Sequence, residues 1–311
     1  MKAAVVFVLA AAAACGGSSK QQTLGNQNAM AAKRDDLSLL PIDSEIVLGV
    51  NVAQLQASSL WQRLLAPRFL GGEVGRGMAE LKRLCNIDPL AEATTVSAGV
   101  KSITSSTPNM VFVVRGLARS KVTACLANPT VVADLHNEGL EVRRDGEALV
   151  LQEPRSPTAL ALEFLDDTTL VAMAGTRASR AGLDALVASQ TSLRSSPAFA
   201  ALYDKIDTHA SVWGLANGNS DLLGMLAGEL GTRPKALFGS LNVTDRIDVD
   251  LHMRLDVPDA ASQFAAGLQQ QATVVKAFVD RIDVTSEGTD VRLALSLSEQ
   301  KLSALTQMKG F

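Results

Sequence analysis

Aromatic side chains are scarce in this 311-residue chain: two Trp, one Tyr and nine Phe make up 4% of it. Carbohydrate platforms and base-stacking surfaces are built from such rings, so neither is expected. Clusters of basic residues are missing too. The 29 Lys and Arg are outnumbered by 32 Asp and Glu, with no dense basic run. Nucleic-acid binding, which depends on clustered cations that neutralise phosphates, is therefore not expected. The three histidines, His136, His209 and His252, lie far apart without a second ligand type at metal spacing. No CxxC, HExxH, phosphate-loop lysine motif or GxSxG elbow occurs, so no cofactor, metal or catalytic residue is assigned.

What the chain does have begins at its first residue. Met1-Lys2 is followed by twelve uncharged residues, Ala3 to Ala14. A membrane-spanning helix needs about 20. A basic start, a short apolar core and small residues before a cut are the parts of a signal peptide, assigned to residues 1–14.

The segment Ala12-Ala13-Ala14-Cys15 resembles the lipobox of bacterial lipoproteins, with Ala12 where that family usually has Leu. The resemblance implies that Cys15 becomes the first residue of the mature chain, thioether-linked to diacylglycerol and N-acylated with a chain such as palmitate. It also implies a bacterial envelope location. Gly16, rather than Asp, follows the cysteine, which in that family directs export to the outer membrane. A plain secretory signal cut after Ala-x-Ala is the alternative. Two or more acyl chains anchor stably, at about 0.8 kcal/mol per buried CH2, so the membrane would be a partner through Cys15 alone.

From Cys15 to about Asn28 the chain is rich in Gly, Ser, Gln and Asn, a composition too polar to order itself. Residues 15–36 are read as a flexible tether, with the folded part starting near Leu37. About 270 residues remain, in a chain that is 47% apolar, enough for one large or two small domains. With Cys15 lipidated, Cys85 and Cys125 are left as a pair. In an oxidising compartment a disulfide between them is the favoured reading; two separate buried thiols is the other.

Strands announce themselves by alternation. Ile247, Val249, Leu251, Met253 and Leu255 alternate with Arg246, Asp248, Asp250, His252 and Arg254, and Val291 to Leu297 repeats the pattern. Asp145-Gly146 marks a hairpin turn between Val142 and Leu151, and Leu165 to Thr168 marks another. Helices are expected over Asp36 to Leu40, Leu60 to Leu65 with Pro67 ending it, Arg76 to Leu84, Ser120 to Ala127, Thr176 to Ala188, Pro197 to Lys205, Ser220 to Leu230, Pro258 to Gln271 and Ser298 to Met308.

Set side by side, residues 37–190 and 191–311 show one order: strand, helix, two strands, helix, hairpin. The fold expected is α+β, with antiparallel sheets covered by helices in two similar halves. The strand from Glu45 to Val52 opens the first half as that from Ala210 to Ala216 opens the second, and the hairpin from Leu160 to Ala174 is an addition to the first. Asp-Arg-Ile-Asp-Val occurs twice, at Asp245 to Val249 and Asp280 to Val284, each copy beginning a strand. The opener Leu40-Pro41-Ile42-Asp43 and this element order resemble uncharacterised bacterial envelope proteins, a likeness that carries no function.

The remaining constellations are weighed against simpler roles. His252 is expected to be a solvated histidine on a polar strand face. Gly71, Gly72, Gly75 and Gly77 are expected to form a flexible loop rather than a phosphate cradle. Ser298 and Lys301 match an SxxK spacing, but capping the last helix is the expected role of Ser298. Asp35-Asp36, Asp166-Asp167 and the Asp248 and Asp250 face suit turns and cross-strand pairs more than calcium or acid-base work. The leading expectation is a non-enzymatic envelope lipoprotein that binds or assembles with an envelope partner. An enzyme assembled only in the fold is one alternative. The other is a carrier of lipid or another apolar ligand, which would show an elongated apolar cavity between sheet and helices.

Overall fold

A computed structural model describes residues 35–218 and 220–307. Residues 1–14, read above as a signal peptide, and Cys15 lie outside them. The strands are β1 (Ile46–Asn51), β2 (Thr95–Lys101), β3 (Asn109–Arg115), β4 (Glu141–Asp145), β5 (Ala148–Gln152), β6 (Ala159–Phe164), β7 (Thr169–Gly175), β8 (Val212–Asn217), β9 (Ala236–Val243), β10 (Arg246–Arg254), β11 (Arg281–Glu287) and β12 (Asp290–Ser298). The helices are α1 (Val52–Ala57), α2 (Ala66–Leu70), α3 (Glu73–Cys85), α4 (Pro89–Glu92), α5 (Arg119–Leu126), α6 (Pro129–Asn137), α7 (Arg180–Ala188), α8 (Pro197–Tyr203), α9 (Asp221–Leu230), α10 (Pro258–Val275) and α11 (Glu299–Gln307). The α+β class with antiparallel strands and covering helices is as the alternation indicated. By contacts the described residues form two units, one with 35–44 and Arg68–Pro197, the other with Glu45–Pro67 and the described residues from Ala198 to Gln307.

The first unit orders its strands β2-β3-β7-β6-β5-β4. Nearly every residue of β5, β6 and β7 is buried, on both sides of the pleat. Strands buried on both faces read as continuous apolar runs such as Leu149-Val150-Leu151 rather than as alternation. The opener is built into this unit. Asp36 accepts from Ser97 Oγ (2.7 Å) and Arg115 Nε (2.6 Å) in a 3-10 turn over Asp36–Leu39, which buries Leu37, Leu39 and Leu40.

The second unit orders its strands β11-β12-β10-β9-β8-β1. β1 pairs with β8, Ile46 opposite Ala216 through Val50 opposite Val212. The strand assigned to head the first half thus belongs with the second, beside the strand taken for its counterpart; pairing over long sequence separation leaves no local trace. A shared kernel does exist. In one unit β2-β3 leads through helices to β6-β7, with β7 pairing β3. In the other, β9-β10 leads through α10 to β11-β12, with β12 pairing β10. The counterpart of β11-β12 is therefore β6-β7, and the additional hairpin is β4-β5 rather than the one from Leu160 to Ala174. The repeated pentapeptide flanks one strand: Arg246 and Arg281 lie opposite Ser298 and Ser296 of β12, and both copies place Ile and Val on the same face.

Two local expectations are corrected. Pro67 does not end its helix: the helix continues through a π turn over Trp61–Leu65 into α2, and this widened turn, in which the Ala66 N–H reaches back to the Trp61 carbonyl, precedes the proline. Of the four glycines from Gly71 to Gly77, the first two form a turn and the other two lie inside α3. Gly72 caps α3, and Gly75 lies inside it, where a Cβ would fall 2.0 Å from the Leu70 carbonyl oxygen. Close passage of the backbone, not flexibility, accounts for that glycine.

Candidate apolar binding trough

Period-two alternation gives the strands of the second unit two distinct faces, one of them apolar across the strands. Across the register, Leu48, Gly214, Gly239, Leu251 and Leu293 form one row of the apolar face. Val50, Val212, Leu241, Val249 and Leu295 form the next. Two sets of helices cover its flanks. Ala261, Ala265 and Ala272 of α10 pack with Leu255, Val284 and Val291, and Leu55, Leu60 and Leu302 gather around Val243.

Between these flanks the face is open. Gly214 and Gly239 are direct cross-strand partners, so two adjacent positions in the middle of the row have no side chain. The floor sinks there into a trough of about 270 Å³, walled by Leu48, Leu237, Leu241, Val249, Leu251 and, from α9, Leu222. Leu48 is 43% exposed. No charged residue lines the trough. The signal in the sequence was a lone glycine inside each of two strand patterns, but only the register shows that they meet.

The opposite face is apolar over β8 and the start of β9, where Trp213, Leu215 and Phe238 are buried, and polar over β10 and β12, where the charges neutralise one another. Arg292 grips Asp250 through two nitrogens (2.7 and 3.0 Å), and His252 Nε2 approaches the same carboxylate at 3.2 Å. Ser296 donates to Asp248 (2.6 Å). Asp290, nearly buried, receives Arg254 (2.7 and 2.9 Å) and Lys205 (2.6 Å). These ties are the cross-strand pairs expected of mixed charges on one face. His252 is not solvated as expected: its side chain is 17% exposed and its ring stacks on Phe238, 5.0 Å between centroids. Burial pushes its pKa down, against the pull of Asp250.

The hydrogen bonds from Arg254, with Lys205 beside them, hold Asp290 down at about 2 from an ordinary 3.8. A carboxylate held low stabilises the fold above its unfolded pKa, and that stability is lost as the pH falls from about 4 towards 2. We expect about 2 kcal/mol of acid-labile stability, read as the difference between urea unfolding at pH 5 and pH 2.5. Asp290→Asn should be less stable at pH 5 and should lack this part of the acid dependence.

The other assigned residues fall elsewhere. Cys85 at the end of α3 and Cys125 in α5 are disulfide-bonded, with Cα atoms 4.8 Å apart. His209 is 98% exposed, and His136 is exposed on α6. Asp166 accepts from the Thr168 and Thr169 amides (2.8 and 2.6 Å), the turn role expected of it. Lys301 donates to the Ala277 carbonyl (2.7 Å), and Ser298 closes β12 immediately before α11. Among the described residues no His, Cys, Asp and Glu group is arranged to hold a metal, and no helix is long and apolar enough to cross a membrane.

No family model and no curated protein matches the chain. Among solved structures it is similar to crystal form III of TP0453, at 10% identity over 88% of this chain and 98% of that one, with a TM-score of 0.53. Crystal form I of TP0453 is matched at 12% identity and a TM-score of 0.48. At such identity the likeness is one of fold: this α+β arrangement occurs over the full length of another protein.

Proposed function

We propose that this chain is a non-enzymatic bacterial envelope protein, anchored through lipid on Cys15, whose second unit binds an apolar ligand in the trough. The observation that supports it is the trough: an open, uncharged depression in an otherwise covered apolar sheet face. Exposed apolar surface of this kind marks a place where something binds. Of the readings open from the sequence, the carrier of an apolar ligand called for an elongated apolar cavity between sheet and helices; the trough shares its apolar lining but is an open depression. The engagement of the polar-face charges with one another fits a role in holding the sheet rather than in chemistry on a substrate.

The test is titration of the full mature chain with a fluorescent fatty acid below its micellar concentration. Leu48→Glu places a charge at an already exposed wall position. Gly214→Val fills the floor, where the nearest atom to a new Cβ is the flexible Leu48 Cδ2 at 3.0 Å. Each should weaken binding by about tenfold or more, with unfolding temperature little changed. Equal binding by wild type and both variants would place the ligand elsewhere. Detergent extraction of the native chain beside a Cys15→Ala form tests the anchor: only the former should partition with membranes.

A further inference from the structure

Resting on the reading of the trough as a binding site, we propose that its ligand is an unbranched alkyl chain and that α9 closes over that chain as a lid. Three observations converge on this. The first is the helix itself. Leu222, Leu223, Met225, Leu226, Ala227 and Leu230 spread over more than half its circumference, and Gly224 and Gly228 take much of the rest. With Asp221 and Glu229 as its charged residues, a helix with so wide an apolar arc is normally buried over most of that arc. Here Leu223 is fully buried, while Met225 is 58% exposed and a Cβ on Gly228 would meet nothing within 4 Å. An apolar helix short of a partner stands, through Leu222, on the rim of an apolar trough short of a filling. One apolar occupant between them satisfies both.

The second observation is how the helix is hung. It lies in the connection from β8 to β9, and the neck of that connection is clasped. Arg233 Nη2 donates to the Gly218 carbonyl (3.1 Å), and Gly218 packs so closely on Lys235 that a Cβ would come 2.6 Å from its carbonyl oxygen. Gly231 ends the helix with a left-handed φ of 69°. The helix can therefore swing on the neck without disturbing the β8-β9 register, and contact with β8 is its main hold on the sheet.

The third is the size and neutrality of the site. Fifteen residues line the trough, none charged. A stable protein interface takes about 20–30 residues a side, so a folded partner or a second copy is poorly matched. With no charge to engage a head group, a lipid would leave its head in water and be held by its chain.

The experiment measures dissociation constants of the mature chain for monomeric alkyl compounds of 8, 10 and 12 carbons, each bearing a carboxylate, a trimethylammonium or a maltoside. Affinity should rise about fourfold per added CH2 and differ by less than about threefold between head groups. Met225→Glu should raise the dissociation constant about tenfold without altering the circular dichroism or unfolding temperature. A nitroxide attached to Met225→Cys should lose mobility when the 12-carbon compounds bind. Affinity governed by head group and indifferent to chain length would overturn the alkyl assignment. Unchanged affinity in Met225→Glu together with unchanged nitroxide mobility would overturn the lid while leaving the trough as a binding site. No binding by any compound would sink the reading of the trough itself.

Discussion

Replacing both Cys85 and Cys125 by Ser should cost the protein about 4 kcal/mol. The bond joins the end of α3 to α5 and closes a loop of 40 residues, and by the chain-entropy model a loop of that length constrains the unfolded chain by this amount. Nothing else at the junction compensates. The ion pairs there, Lys82 with Asp88 and Lys121 with Glu92, each have a lysine more than half exposed, and such pairs contribute 1 kcal/mol at most. The packing of Val122 and Leu126 remains in the variant, so the loss should appear as lower stability rather than a different fold. In a chain of this size it corresponds to roughly 10 °C in unfolding temperature. Thermal unfolding of the double variant beside the oxidised wild type reads it directly. Equal unfolding temperatures, with two titratable thiols in the wild type, would restore the alternative of separate buried cysteines.

Phe238→Ala should be as damaging, at about 3–5 kcal/mol, the usual range for deleting a buried phenyl ring. Phe238 is 1% exposed and lies between Leu215 and His252 on its face of the sheet. It also supports the polar network. His252 stacks on it, and the Arg254 guanidinium sits 5.7 Å from the ring centroid while binding Asp290. Removing the ring admits water under both the imidazole and the guanidinium. The His252 pKa, pushed down by burial, should then rise towards 6.5, which NMR titration of that imidazole would follow. A stability loss below 1 kcal/mol with an unmoved imidazole would show that the ring is not the support described.

Local patterns were legible wherever local physics decides them. The alternation from Arg246 to Leu255 marks β10, Asp145-Gly146 marks the β4-β5 turn, and prolines mark the first turns of α8 and α10. The polar-to-apolar change near Leu37 coincides with the turn that Asp36 pins to Ser97 and Arg115. What could not be read is what long-range pairing decides. β1 and β8 are separated by some 160 residues, and nothing in Ile46 to Asn51 says which strand it will join. The same holds for the trough: Gly214 and Gly239 are unremarkable singly and make a depression only because their strands align them. The burial of His252 escapes local reading for a related reason. Its position on the polar face is as the alternation says, but the ring beneath it belongs to β9.

The central claim is that the trough is occupied in the cell by something apolar. Its most direct test is native mass spectrometry of the mature protein extracted from its own membranes, run beside Gly214→Val. The account expects wild type to carry one lipid-sized, non-covalent adduct per chain, and the variant to carry little or none. Adduct-free wild type, or an adduct retained equally by the filled-floor variant, would contradict it.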